Sequence, residues 1–297
     1  MAVFSASSYA LSRIISSPCG SVHSVFNTSF NLVFDGSLLH VGSLAGSLSC
    51  IGVTVGAEEM ATLLGRLHVG DRVCLNNGVI CIYSLAGVSE LAVADAPRRD
   101  CSVPALEGAM KPGMDVEVAE ISHGLGLRKR IGLPWTEQSV SAVSALARFS
   151  AFCLDIGRWG TNQVDPGRFQ VSERAMRSAV WHLMGRGPGL TPSGDDVLTG
   201  FGIGLRYLCG TCATQAADAF FRAVEAALPG RTTEVSESYL RAMCAGQANE
   251  DYLAMLALLD SDVREGLPAA FYRVLGMGHT SGADSLLGFA AAFGCLI

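Results

Sequence analysis

Two short stretches of this chain echo one another, and both carry residues of the kind that bind anions and move protons. Ser193-Gly194-Asp195-Asp196 opens a run through Leu198, Gly200 and Phe201; Ser281-Gly282-Ala283-Asp284 opens another through Leu286, Gly288 and Phe289, at a constant offset of 88 residues (281 − 193). In each copy a serine precedes an aspartate by three positions. That is the grammar of an N-cap with its capping box, Asp196 or Asp284 reaching back to the cap amide. Capping leaves the glycines unexplained, because glycine inside a helix costs up to ~1 kcal/mol relative to alanine. Gly200 and Gly288 are therefore expected to let two helices cross closely. Gly194 and Gly282 are expected to open N-terminal amides, backed by the helix dipole, to an anionic ligand.

The flanks add chemistry. A glycine-proline loop from Gly187 to Pro192 carries Thr191 into the first turn, and Gly276 to Thr280 leads into the second. His279 stands directly before that second turn and is the candidate for proton transfer near neutral pH, a packed or solvated histidine being the bland alternative. Asp195 is not required by the cap. It could orient a substrate amide or, with Asp196 and Asp284, hold a magnesium ion; no other metal and no cofactor is expected. A third helix start, Pro229-Gly230-Arg231-Thr232-Thr233 with Ser236, sets an arginine beside hydroxyls, as a carboxylate or phosphate site requires, although the threonines could simply cap. The catalytic candidates are thus His279, Arg231 and Asp195. The substrate-binding candidates are Thr191, Ser193, Gly194, Asp196, Thr232, Thr233, Thr280, Ser281, Gly282 and Asp284.

The elements that position these residues are legible from periodicity. Up to about residue 135 the chain reads as short strands (21–26, 31–34, 38–41, 50–55, 73–75, 79–84 and 88–93) with Asp35-Gly36 and Asn77-Gly78 as hairpin turns, and 114–121 alternates like one more. From Glu137 onward a helical stripe takes over, followed by helices at 172–184, 193–208, 214–228, 233–245, 249–259, 263–275 and 281–293. Strands first and helices afterwards predict an α+β fold: an antiparallel β-rich N-terminal domain, 1–135, and a helical domain, 136–297, bearing the two duplicated turns. Gly124-Leu125-Gly126 lacks the rest of a dinucleotide fingerprint, and no P-loop occurs.

Composition narrows the classes. Of 297 residues 49 % are hydrophobic and only 16 % charged, so disorder is excluded and apolar surface is expected to be left for a partner. A net charge of −6, with Arg128-Lys129-Arg130 as the one dense basic cluster, argues against nucleic acid. The apolar stretch from Leu286 is too short to span a membrane, and Ser193 onward is interrupted by glycines and Arg206. No basic region precedes an apolar one near Met1, so the expectation is a soluble cytoplasmic protein with its 10 cysteines reduced. Cys209 and Cys212 have redox spacing without the strand-to-helix context that would use it.

Taken together and in order, Gly189 through Asp196 with Gly200, Arg231 through Thr233 with Ser236, and Gly278 through Gly282 with Asp284 and Gly288 resemble the AllH-like family. The resemblance covers about 187–288. It implies a subunit of an oxamate carbamoyltransferase assembly of purine or allantoin catabolism, in which oxalurate and phosphate give oxamate and carbamoyl phosphate. It also implies AllF-like and AllG-like partner subunits and small anionic substrates. Under that reading Arg231, Thr232, Thr191 and the amides near Gly194 and Gly282 hold the anion, and His279 serves the oxamate nitrogen as acid or base. The competing reading is a non-catalytic assembly or regulatory subunit that binds phosphate or a nucleotide; a stand-alone, magnesium-dependent phosphotransferase is a third.

Overall fold

The computed structural model describes residues 1–106, 108, 110–159, 165–210 and 214–295. The chain divides into two compact units. One comprises Met1–Ser102 with Gln247–Asp251, the other 103–246 with the chain from Tyr252 onward. The division seen in space thus falls at Ser102, against 135 in the reading of the sequence.

In the first unit, nine strands among the described residues form one sheet: β1 (Val3–Ser7), β2 (Cys19–Val25), β3 (Ser29–Phe34), β4 (Ser37–Ser43), β5 (Gly52–Val55), β6 (Arg72–Asn76), β7 (Val79–Ser84), β8 (Gly87–Ala92) and β9 (Arg98–Arg99). Their order is β8-β7-β6-β2-β3-β4-β5-β1-β9. Neighbours are antiparallel except β4 with β5 and β1 with β9. Asp35-Gly36 and Asn77-Gly78 turn their hairpins with positive φ at both positions, the geometry that matches strand twist. Phe30, Leu32, Phe34, Val41, Val53 and Val55 bury one face under α1 (Ser8–Ile14) and α2 (Ala57–Leu64). Ser7 starts α1, its hydroxyl accepting from the Ala10 amide at 3.2 Å while it donates to the Cys50 carbonyl at 2.6 Å. Asn249 and Glu250 join this unit by accepting from the amides of Cys50 (2.9 Å) and Leu48 (3.3 Å).

The second unit is helical: α3 (Met114–Gly124), α4 (Glu137–Trp159), α5 (Pro166–Leu183), α6 (Ser193–Cys209), α7 (Thr214–Ala227), α8 (Glu234–Cys244), α9 (Glu250–Asp260, shared with the first unit), α10 (Leu267–Leu275) and α11 (Ser281–Ala292), with a 3-10 turn at Leu127–Lys129. The strand expected at 114–121 is α3 instead. Its buried residues, Met114, Val118 and Ser122, recur every four positions, whereas Val116, which made the alternation, faces solvent. α11 is buried from Gly282 to Ala292, packing on α6, α4 and α10. Ser150 of α4 donates to its last carbonyl, Ala292, at 2.5 Å, and Tyr252 meets Ser285 at 2.5 Å. Among the described residues one segment, Glu137–Ile156, is long and apolar enough to cross a membrane; more than half of it is buried in the protein, as in a core helix. Cys209 ends α6, buried, while Cys212 lies outside the described residues.

Candidate functional site

The duplicated turns begin α6 and α11, and the two helices lie side by side in the same direction with their N-terminal ends together. A Cβ on Gly200 would overlap the carbonyl oxygen of Ser285, and one on Gly288 would overlap that of Val197. The offset of 88 residues converts each contact into the other (200 to 288, 197 to 285), so the crossing has an internal two-fold. The same exchange holds at the helix starts: the Asp196 carboxylate meets the Ser281 hydroxyl, and the Asp284 carboxylate meets that of Ser193. Thr191 and Ser281 hydroxyls are 2.9 Å apart. The expected close helix crossing is present, and it needs glycine on both sides because backbone packs on backbone.

The expected capping box is not. The N-cap residues are Pro192 and Thr280, neither with a side-chain cap bond, and Ser193 and Ser281 are the first helical residues. Asp284 instead accepts from the amides of Gly132 and Leu133, both at 3.0 Å, and so ties the segment before α4 to the start of α11. Nor do Gly194 and Gly282 hold their amides open. The Gly194 N–H donates to Arg186 O at 2.8 Å and that of Gly282 to Met277 O at 2.9 Å. Their bare Cα atoms abut the carbonyls of Leu183 and of Val274 and Leu275. These glycines pull each helix start against the end of the helix before it.

Asp195 sits at the centre of a second cluster. It is 1 % exposed, and its oxygens accept from the Gly185 amide (2.7 Å), the Ser236 hydroxyl (2.7 Å) and the Thr232 hydroxyl. Burial raises its pKa, and the three donors offset part of that rise. One carboxylate thereby fixes the residue before Arg186 and the residue after Arg231. Gly185, at φ +70°, packs directly on the Arg231 carbonyl, where any side chain would clash. Thr233 caps α8, accepting from the Ser236 amide at 3.1 Å and donating to Leu190 O.

Between these turns lies a cavity of about 510 Å³ lined by Arg186, Arg231, His182, Ser178 and Trp181 among others. The Arg231 guanidinium stacks 3.7 Å from the Trp181 ring, donates to the Trp181 carbonyl at 2.9 Å, and has its Nε buried without a partner. Arg186 donates from Nε to His182 O at 2.9 Å. Among the described residues neither arginine is ion-paired. Burial, and then Arg186, lower the pKa of His182, so its imidazole is neutral at neutral pH. Two guanidinium groups without an ion-pair partner lining one space are the kind of arrangement that a carboxylate or phosphate site requires.

Residues 183–293 match the family model described as oxamate carbamoyltransferase subunit AllH, and residues 2–97 match the AllH family N-terminal domain. The chain belongs to the AllH family. No solved structure matches it. The AllH match begins at the last residue of α5 and spans both turns, Arg186 and Arg231, while the N-terminal match takes in the sheet through β8.

In this AllH chain the residues singled out in the sequence fall into two groups that share the first turn of α6. Thr191, Ser193, Asp196, Thr280, Ser281 and Asp284 meet at the paired helix starts. Asp195 and Thr232 meet behind the turn that bears Arg231, which alone of the residues singled out lines the cavity, and Thr233 caps α8. Exposed His279 is not among the residues lining that cavity. Asp196 has one carboxylate oxygen buried without a hydrogen-bond partner, and burial, reinforced by Asp284 and Asp195, raises its pKa well above 3.8. Among the described residues no three acidic, histidine or cysteine side chains stand as a metal-ligand set. Arg186, His182 and Trp181 were not singled out. The signal for Arg186 was in plain sight: an arginine between two glycines, Gly185 and Gly187, just ahead of the first turn.

Proposed function

We propose that this AllH subunit contributes the anion-holding part of an oxamate carbamoyltransferase site, with Arg231 and Arg186 gripping the carboxylate of oxamate or oxalurate, or the phosphate. The observation that carries the reading is the cavity with two unpaired guanidinium groups, built on turns that one buried carboxylate, Asp195, holds in place. In the reaction a phosphate oxygen attacks the carbamoyl carbon of oxalurate, and the bond from that carbon to the oxamate nitrogen then breaks. The nitrogen leaves with a proton, and the products are carbamoyl phosphate and oxamate. Both substrates are anions, so the first requirement is to offset their mutual repulsion, and the second is to stabilise the oxyanion of the tetrahedral intermediate. Guanidinium groups answer the first. Thr232 donates its one hydroxyl hydrogen to Asp195 and so holds the turn on which Arg231 stands, and His279 is proposed as the group that hands the proton to the oxamate nitrogen.

The alternative, a binding subunit whose chemistry is completed by AllF-like and AllG-like partners, has one observation in its favour. Asp195 has its oxygens committed to protein donors, and the imidazole lining the cavity is the neutral His182. Either way the reading implies a soluble cytoplasmic subunit. Calorimetry of the isolated chain with oxamate and with carbamoyl phosphate tests the anion site. Binding that weakens about tenfold in Arg231→Ala supports it, and wild-type carbamoyl transfer by a reconstituted assembly carrying Arg231→Ala refutes it. Unchanged binding but lost turnover in His279→Gln would separate the catalytic reading from the binding one.

A further inference from the structure

The first unit carries a thiol pair that the anion site does not involve. Cys19 on β2 and Cys74 on β6 face each other as register partners, with their sulfurs 4.0 Å apart. Backbone bonds on either side, Leu75 N–H to Pro18 O and Val22 N–H to Asp71 O, both 2.8 Å, mark the wide, hydrogen-bonded positions of this antiparallel ladder. Alternation makes Cys19–Cys74 a narrow, non-hydrogen-bonded pair, where Cα atoms approach to about 4.5 Å, inside the range a disulfide spans. Val73, the neighbour of Cys74, points to the opposite, buried face. Cys19 is exposed and Cys74 half-buried, so a small oxidant can reach them. The Arg72 guanidinium, two residues before Cys74 on the same face of β6, stands beside both sulfurs.

We propose that Cys19 and Cys74 are a modification site, a dithiol that hydrogen peroxide converts to a disulfide joining β2 to β6. One thiol, as thiolate, takes an oxygen from peroxide, giving a sulfenic acid and water. The second sulfur then attacks the first, the sulfur–sulfur bond forms, and the hydroxyl leaves as a second water with the remaining proton. Peroxide is the oxidant, and two thiols are the two-electron reductant. Cys81 on β7 is the register partner of Cys74 on its other side. Cys74–Cys81 is the third register pair from the Asn77-Gly78 turn and so a wide one, where side chains stand further apart, whereas the Cys19 and Cys74 sulfurs already lie 4.0 Å apart, so Cys19 is the favoured partner.

The test uses the full-length chain, treated with peroxide, alkylated and mapped by peptide mass. The expected result is a Cys19–Cys74 linked peptide, two hydrogens lighter than the free pair and released by dithiothreitol. It should vanish in Cys19→Ser and persist in Cys81→Ser, with circular dichroism showing each variant folded. A Cys74–Cys81 link, a Cys19 that ends as a sulfinic acid with no link, or no cross-link at all would overturn the proposal.

Discussion

The two copies of the turn hold the same helix crossing, but they differ at one position that governs what gathers around them: Asp195 in the first is matched by Ala283 in the second. Ala283 is a buried methyl with no side-chain hydrogen bond to offer. Asp195 collects Gly185, Thr232 and Ser236, and with them Arg186 and Arg231. The duplicated scaffold thus gathers a polar cluster around one of its two copies. The difference teaches that the shared residues Gly200, Gly288, Asp196 and Asp284 serve the crossing, while the unshared carboxylate organises the site.

The comparison can be broken most severely at the crossing itself. Gly200→Val and Gly288→Val should each cost about 3 kcal/mol or more, because backbone carbonyls cannot move aside, and should cost similar amounts because the contacts are reciprocal. Denaturant titration of the two variants checks this; tolerance of valine in one copy alone would end the two-fold description. Asp195→Ala comes next, stranding three donors at roughly 1 kcal/mol or more each. It should also weaken oxamate or carbamoyl phosphate binding, whereas Asp284→Ala should lower stability and leave calorimetric affinity near wild type. Arg231→Ala should lower affinity about tenfold, near 1.4 kcal/mol, with little change in the thermal midpoint.

The smallest effect concerns protons. The pKa of Asp196 is raised in the folded chain, so the folded state holds its proton more tightly than the unfolded one. Stability from this group is therefore present at low pH and is lost as pH climbs from about 3.8 through the raised value. Asp196→Asn removes that loss. It should raise the thermal midpoint by a few degrees at pH 7, and the gain should fade as pH approaches 4; a gain independent of pH would show that burial of charge is not the cause.

Much of this is legible in the amino-acid sequence, for identifiable reasons. The close crossing could be read because glycine at matching positions of two amphipathic helices has few other uses. The hairpins at Asp35-Gly36 and Asn77-Gly78 could be read because their turns demand positive φ. By contrast β1, α1 and α2 carry no turn chemistry or long periodicity, and α3 reads as a strand because Met114, Val116 and Val118 alternate, although only Met114 and Val118 of the three lie on its buried face. The aspartates misled for a related reason. Spacing says that Asp284 sits three residues after a serine, but only the fold reveals that Gly132 and Leu133, some 150 positions away in sequence, offer it better donors than the cap amide does. Arg186 escaped notice because its partner across the cavity, Arg231, is distant in the chain.

The crossing also imposes an order in time. Its contacts join segments 88 residues apart, so α6 emerges during synthesis long before α11 exists to cover it. Closing that span costs entropy before any packing is gained, which makes the step slow relative to local helix formation. Throughout that interval Phe201 and the glycine groove beside it are without their final neighbour, and the nascent chain is at its most vulnerable to chaperones and to aggregation.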